Sequence, residues 1–237
     1  MTADRWTQAV RHQLGFGRLL PLGDARDGAW ISEQAAEAVL RRAAQDAPGV
    51  RLDTLRVALA DPEDTQEPAV PAPPSAQPPG PLRVTVDFAA TASQPLPATA
   101  SLLRATLATA ATQRLGLTVT EVDLRVAGLL DEETEPGPAA GLPEPPRAAR
   151  PMDGDEGRVA TAALDVPGVL HLTAALGHPV HIENLPGEAA LPHRHVRLEL
   201  AVGADHQARE VARAVRTAVR RTLPDHPTVA VVVSGIG

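Results

Sequence analysis

Five of the eight histidines fall within residues 171–195: His171, His178, His181, His193 and His195. Imidazole suits zinc, and such a site needs three or four converging donors, often with a carboxylate. His193 and His195 lie two apart, on one face if the chain there is a strand. His178 and His181 could approach from a neighbouring hairpin, with Glu183 as the acid. This is the metal-enzyme reading, with His178, His181, His193 and His195 as candidate ligands. The plainer reading is a set of solvent-facing strand and loop residues. No Cys and no recognised ligand spacing supports the metal, so the expectation is no metal and no cofactor.

The second cluster is basic. Arg209, Arg213, Arg216 and Arg220 recur at helical spacing, with Val211, Val215, Ala218 and Val219 on another face. An ordinary solvated helix face explains the stripe. Its functional reading is a docking surface for an acidic partner, an anionic lipid surface or nucleic acid. No aromatic interleaves the arginines, so base stacking is not favoured. All 22 basic residues are Arg, which makes arginine usage weak support for special arginine chemistry.

Other constellations fail on context. Ser234-Gly235 is not part of a Gly-x-Ser-x-Gly elbow. No Gly-rich loop joins a strand to a helix, so nucleotide binding lacks support. Asp87, Glu121, Asp123 and Glu199 fall on strands, on faces expected to be solvated, and no pair can be assigned as acid and base.

The elements that must position these residues come twice. Asp46-Ala47-Pro48-Gly49-Val50 returns as Asp165-Val166-Pro167-Gly168-Val169. Val84-Thr85-Val86-Asp87-Phe88 returns as Val196-Arg197-Leu198-Glu199-Leu200, and Val126-Ala127-Gly128-Leu129 as Val233-Ser234-Gly235-Ile236. The shared order indicates a degenerate duplication. Each copy reads helix–strand–strand–helix–strand. In the first, Ser32 caps a helix over about 33–46. Strands follow over 50–59, with a bulge between Leu52 and Leu55, and over 84–88. A helix over about 97–115 and a strand through Val119, Val122, Leu124 and Val126 complete it. In the second, a helix covers about 156–165 and strands 169–176 and 179–183. A strand over 196–202, a helix over 206–222 capped by Asp205, and a strand over 229–233 follow. The first two strands of each copy should pair antiparallel, and the strand–helix–strand unit should be a right-handed parallel crossover. The fold class is α+β: two tandem copies, each a small mixed sheet with two helices on one face and the first strand in the middle.

The division is therefore an N-terminal amphipathic segment (1–30), a first repeat (31–130), a Pro-rich acidic linker (131–156) and a second repeat (157–237). Trp6, Val10, Leu14 and Phe16 make an apolar stripe that either packs onto the first sheet or docks a partner. Leu19 to Gly23 reads as an apolar turn. Residues 61–80 hold seven Pro and four acids. They read as a solvated insertion that folding does not need. This insertion and the linker concentrate the acidity behind the net charge of −7, so the folded parts are slightly basic. With 43% apolar but 2% aromatic residues, the core must be Val, Leu and Ala. No apolar run approaches the ~20 residues of a membrane span. Without a secretory signal, the expected location is cytoplasmic.

Residues 31–130 resemble the alkaline shock protein / Gls envelope-stress family. The matching stretches are Ile31-Ser32-Glu33 through the Ala-rich helix to Pro48-Gly49-Val50, then Val84-Thr85-Val86-Asp87, Pro95-Leu96-Pro97, and Gly116 through Val119-Thr120-Glu121-Val122 to Gly128. The second copy matches more faintly. The whole chain, including Leu19-Leu20-Pro21-Leu22-Gly23, is also similar to actinobacterial proteins labelled as a nucleopolyhedrovirus fibre-protein family. The alkaline shock resemblance implies a non-enzymatic scaffold that self-associates, or binds another protein near the membrane, in envelope stress. The alternatives are a small nucleic-acid-binding module and the histidine-dependent metal enzyme. The repeat is similar in element order to K-homology domains, but neither copy carries their Gly-x-x-Gly loop at the required place.

Overall fold

The computed structural model describes residues 17–130, 152–186 and 193–237. The first repeat contains α1 (Glu33–Ala44), β3 (Val50–Leu59), β4 (Leu82–Thr91), α2 (Leu96–Ala110) and β5 (Val119–Leu130). The second contains α3 (Gly154–Leu164), β6 (Val169–Leu172), β7 (Val180–Leu185), β8 (His193–Val202), α4 (Ala208–Thr222) and β9 (Thr228–Ile236). Two short strands, β1 (Leu19–Pro21) and β2 (Ala29–Ser32), precede both. The protein is mixed α+β.

Local signals account for the elements. Ser32 accepts the N–H of Ala35 at 3.1 Å and starts α1. Pro at the second position opens α2. Its last turn widens to a π-turn over Ala111–Leu115, and Gly116 at φ 81° closes it. The N-cap of α4 is Gln207, not Asp205, and its side-chain amide instead donates to the carbonyls of Thr112 and Gln113. The end of the first repeat's long helix is thus tied to the start of the second's.

Sheet pairing reproduces the duplication residue by residue. Strand β4 pairs antiparallel with β3 and parallel with β5. Strand β8 pairs antiparallel with β6 and β7 and parallel with β9. Val50 lies opposite Ala90 as Val169 lies opposite Val202. Val86 faces Leu124 as Leu198 faces Val231, and Phe88 faces Val126 as Leu200 faces Val233. The bulge after Phe88 recurs after Leu200, at the Val-Ala-Gly and Val-Ser-Gly tripeptides. The expected bulge in β3 falls between Leu52 and Thr54.

Three expectations need correction. The strand before the crossover helix, β4 or β8, is flanked on both sides in each repeat, not the first strand. A hairpin occupies one edge of β4 or β8 and the crossover delivers the parallel strand to the other. Full burial of Val84, Val86 and Phe88 follows. Next, Leu19–Gly23 is not merely a turn. Strands β1 and β2 form a hairpin, and β2 pairs parallel with β9 through Ala29–Val231, Trp30–Val232 and Ile31–Val233. Residues ahead of the first repeat thus extend the second repeat's sheet, giving the order β1-β2-β9-β8-β6, with β7 also on β8.

Finally, residues 61–80 are not a free insertion. They lie against the face of that sheet turned away from α4. Leu19 donates its N–H to Ser75 and accepts from Gln77 at 2.8 Å. Trp30 Nε1 donates to the Gln77 carbonyl at 3.1 Å, and Ala69 N–H to Ala25. Val70 packs with Leu19, Trp30, Ala175, Ala230 and Val232 in a small second core. Proline prevents a continuous ladder, but the remaining N–H groups suffice as single anchors. The main core runs uninterrupted from Leu20 and Ile31 through both repeats to Val233. Among the described residues, no helix is long and apolar enough to cross a membrane.

Candidate functional site

The arginine stripe on α4 is built into the fold. Arg209 Nε and Arg213 Nε donate to the two carboxylate oxygens of Asp27, whose side chain is only 4% exposed. Arg209 also reaches Asp24 at 3.1 Å. Arg216 donates from Nε to the carbonyl of Val229 at 2.9 Å and from Nη1 to the carbonyls of Arg26 and Asp27. Burial pulls the Asp27 carboxyl upward, but the bonds from Arg213, the Asp24 N–H and Arg209 outweigh it and hold the group below its ordinary range. Gly23, at φ 98°, leaves room for this cluster, since a Cβ there would collide with the Asp27 carboxylate. Three of the four arginines thus clamp the β1–β2 turn, and Arg220 stays on the exposed side. Trp6, Val10, Leu14 and Phe16 lie outside the described residues.

The histidines sit toward the opposite lateral edge of the sheet, on β6, β7, β8 and the turn before β7. Pairing of β7 with β8 sets His181 opposite Arg197, Glu183 opposite His195 and Leu185 opposite His193. The rings of His178 and His181 are 6.2 Å apart, and His181 Nε2 is 4.0 Å from Glu183. His195 is buried, with Nδ1 at 2.8 Å from the Thr228 hydroxyl. Burial lowers its pKa, and Arg197, His193 and His181 add to this against the pull of Glu183. The candidates share a neighbourhood, yet among the described residues no three His, Asp or Glu converge on an ion position.

Of the carboxylates, Asp87, Glu121 and Asp123 lie on the outer face of the β3-β4-β5 sheet. Arg125 bonds Asp87 at 2.6 and 3.0 Å, and Arg83 reaches Glu121 and Asp123. Glu199, expected on a solvated face, is fully buried. One oxygen accepts the Leu176 N–H at 2.9 Å and the other has no partner. Burial pushes this carboxyl up to about 7, against the backbone N–H groups and Arg197. Ser234 is also buried, its hydroxyl against Thr173 at 2.6 Å and the Leu200 carbonyl at 3.2 Å.

Among the described residues, nothing pairs with the outer edge of β5. Leu82 donates its N–H to Thr118, and a register shift follows between Leu82 and Arg83. Past that bulge, Glu121, Asp123 and Arg125 turn their peptide groups toward β4, and Val122, Leu124 and Val126 turn theirs outward. The equivalent edge of β9 is occupied: Val231, the counterpart of Leu124, donates its N–H to Gly28 at 3.0 Å. The arginine beside it is also duplicated. Arg104 on α2 donates from Nε to the carbonyl of Val122 at 3.2 Å, as Arg216 does to Val229. Arg216 also donates from Nη1 to the carbonyls ahead of β2, whereas Arg104 is exposed beside an edge on which no described residue pairs. On β5 itself, Val126 and Leu129 are 42% and 67% exposed, two of the five exposed large apolar side chains among the described residues.

Sequence reading did not single out Arg104. A signal existed: the spacing that carries Val86 to Leu198 carries Arg104 to Arg216.

Scanned against protein-family models, the chain matches none, and a search of curated proteins finds no match either. The resemblance to the alkaline shock family rests on the motifs quoted above.

Proposed function

We propose that this protein is a non-enzymatic binding or scaffold protein that holds an extended segment on the open edge of its first sheet. One observation carries the reading. The same edge, with the same arginine, appears twice in the chain, and in the second repeat it already binds a strand. Main-chain bonds to such an edge supply affinity, and flanking side chains supply selectivity. A long edge left open is also a liability that proteins normally cover. Taken with the family resemblance, this points to envelope homeostasis in a bacterial cytoplasm, near the membrane.

The test is genetic. Leu124→Pro removes the central outward N–H, and proline is tolerated on the free side of an edge strand. In cells lacking the gene, the wild type should restore growth under envelope stress and Leu124→Pro should not. Full restoration by Leu124→Pro at equal protein level would overturn the edge as the working surface.

A further inference from the structure

We infer that the occupant of the β5 edge is a second copy of this chain, paired antiparallel to the first about a two-fold axis through Leu124. The inference rests on the docking reading above and names its partner. Two bulges in the β4–β5 ladder, after Leu82 and after Phe88, bound the regular edge and leave Val122, Leu124 and Val126 facing outward. A two-fold axis through Leu124 sets Leu124 opposite Leu124 and Val122 opposite Val126. Every outward peptide group of this stretch then meets an outward group, and each such pair exchanges two N–H···O bonds. An isologous contact of this kind closes on itself and does not propagate.

Charge selects the register. On the outer face, Asp123 falls opposite Arg125 twice, in the pairs where side chains approach most closely. A slip that centres the axis on Asp123 sets Asp123 against itself, and one centred on Arg125 sets Arg125 against itself. A slip to Val122 opposes Glu121 and Asp123. Only the Leu124 register of these four makes attractive contacts alone. It also joins two ion pairs that each chain already makes, Arg83 with Asp123 and Arg125 with Asp87, into one alternating row. These exposed pairs set register more than affinity. Affinity comes from the backbone bonds and from covering Val126 and its neighbours. On the helix side, Arg104 already marks the edge at Val122, as Arg216 does where a strand is bound.

Sedimentation of the full chain tests this. At about 50 μM, enough to populate a complex of micromolar Kd, the wild type should be a dimer. Leu124→Pro should be a monomer. Asp123→Arg and Arg125→Asp should each weaken the dimer about tenfold or more, through like charges set face to face. The double variant Asp123→Arg/Arg125→Asp should recover the wild-type Kd, because the swap restores both pairs in this register alone. These side chains are exposed, so the swap variants report even where the proline variant fails to fold. A wild type that stays monomeric, a dimer indifferent to Leu124→Pro, or a double variant as weak as the singles would each overturn the inference. A monomeric wild type whose Leu124→Pro form still fails under envelope stress would overturn only the second copy as occupant and leave the edge as a docking site.

Discussion

Single side chains show how burial decides what a residue does here. Val215 lies fully buried between α4 and β9. Val215→Asp should cost about 4 kcal/mol in a thermal melt, because an unpaired carboxylate would enter an aliphatic core. On the same helix, Arg220→Ala should stay within about 0.5 kcal/mol. Arg213→Ala should not, although its spacing marks it as an ordinary solvated residue. It should cost about 1 kcal/mol after allowance for its partial exposure, and Asp27→Ala about 2–3 kcal/mol. Because the Asp27 carboxyl is held below its ordinary range, its contribution persists across neutral and mildly acidic pH. It is lost only as pH falls through the folded-state value. Glu199 behaves oppositely. Below about 4.5 it is protonated folded or unfolded and contributes nothing. Between 4.5 and about 7 the unfolded chain releases the proton and the folded chain keeps it, so stability falls as pH rises. Above that range the fold carries the full penalty, about 3 kcal/mol. Glu199→Gln keeps an acceptor for the Leu176 N–H. It should raise the melting temperature at pH 8 and leave it nearly unchanged at pH 4.5.

Among the elements, the Pro-rich segment 61–80 departs most from its composition. Proline content and charge argue for solvent, and loop entropy alone would make the segment cheap to replace. In the fold it seals Leu19, Trp30, Ala230 and Val232. Replacing it with a short Gly-Ser linker should therefore lower stability by several kcal/mol and expose Trp30 to quenchers. Unchanged melting and unchanged tryptophan fluorescence would show that the contact contributes little. The element order itself was readable because it depends on local periodicity: alternation in β4 and β8, a valine stripe in α4, Pro-Gly stops before β3 and β6. Strand order was not, since two edges of one central strand look alike until the crossover fills one.

Over the whole molecule, the two repeats are alike in register but not in independence. The second sheet borrows β2 from ahead of the first repeat, and α4 holds the turn beside it through Asp27. A fragment of residues 152–237 should accordingly fail to fold cooperatively, because it would expose the β9 edge and strip the arginines of their acid. Circular dichroism against urea checks this. A sharp transition equal to that of the full chain would contradict it. Among the described residues, the contrast with β5 is that residues 29–32 reach the edge of β9, whereas no segment pairs with the outer edge of β5.

Sequence alone determined the duplication, the run of elements within each copy, the bulge in β3 and the buried stripe of α4. All of these are written in spacings of a few residues or in direct repetition. The tertiary structure decided the rest. It placed residues 19–32 on β9, folded 61–80 over the opposite face, and turned three arginines of an apparent docking stripe inward onto Asp27. Among the described residues, it also set Arg104 beside an edge with no strand on it and Arg216 beside one that β2 occupies. Arg104 and Arg216 hold the same place in the two copies, and the arginine run around Arg216 marks its helix rather than the edge beside it. The difference lies in whether a distant stretch of chain arrives at the edge, and only the closed fold determines that.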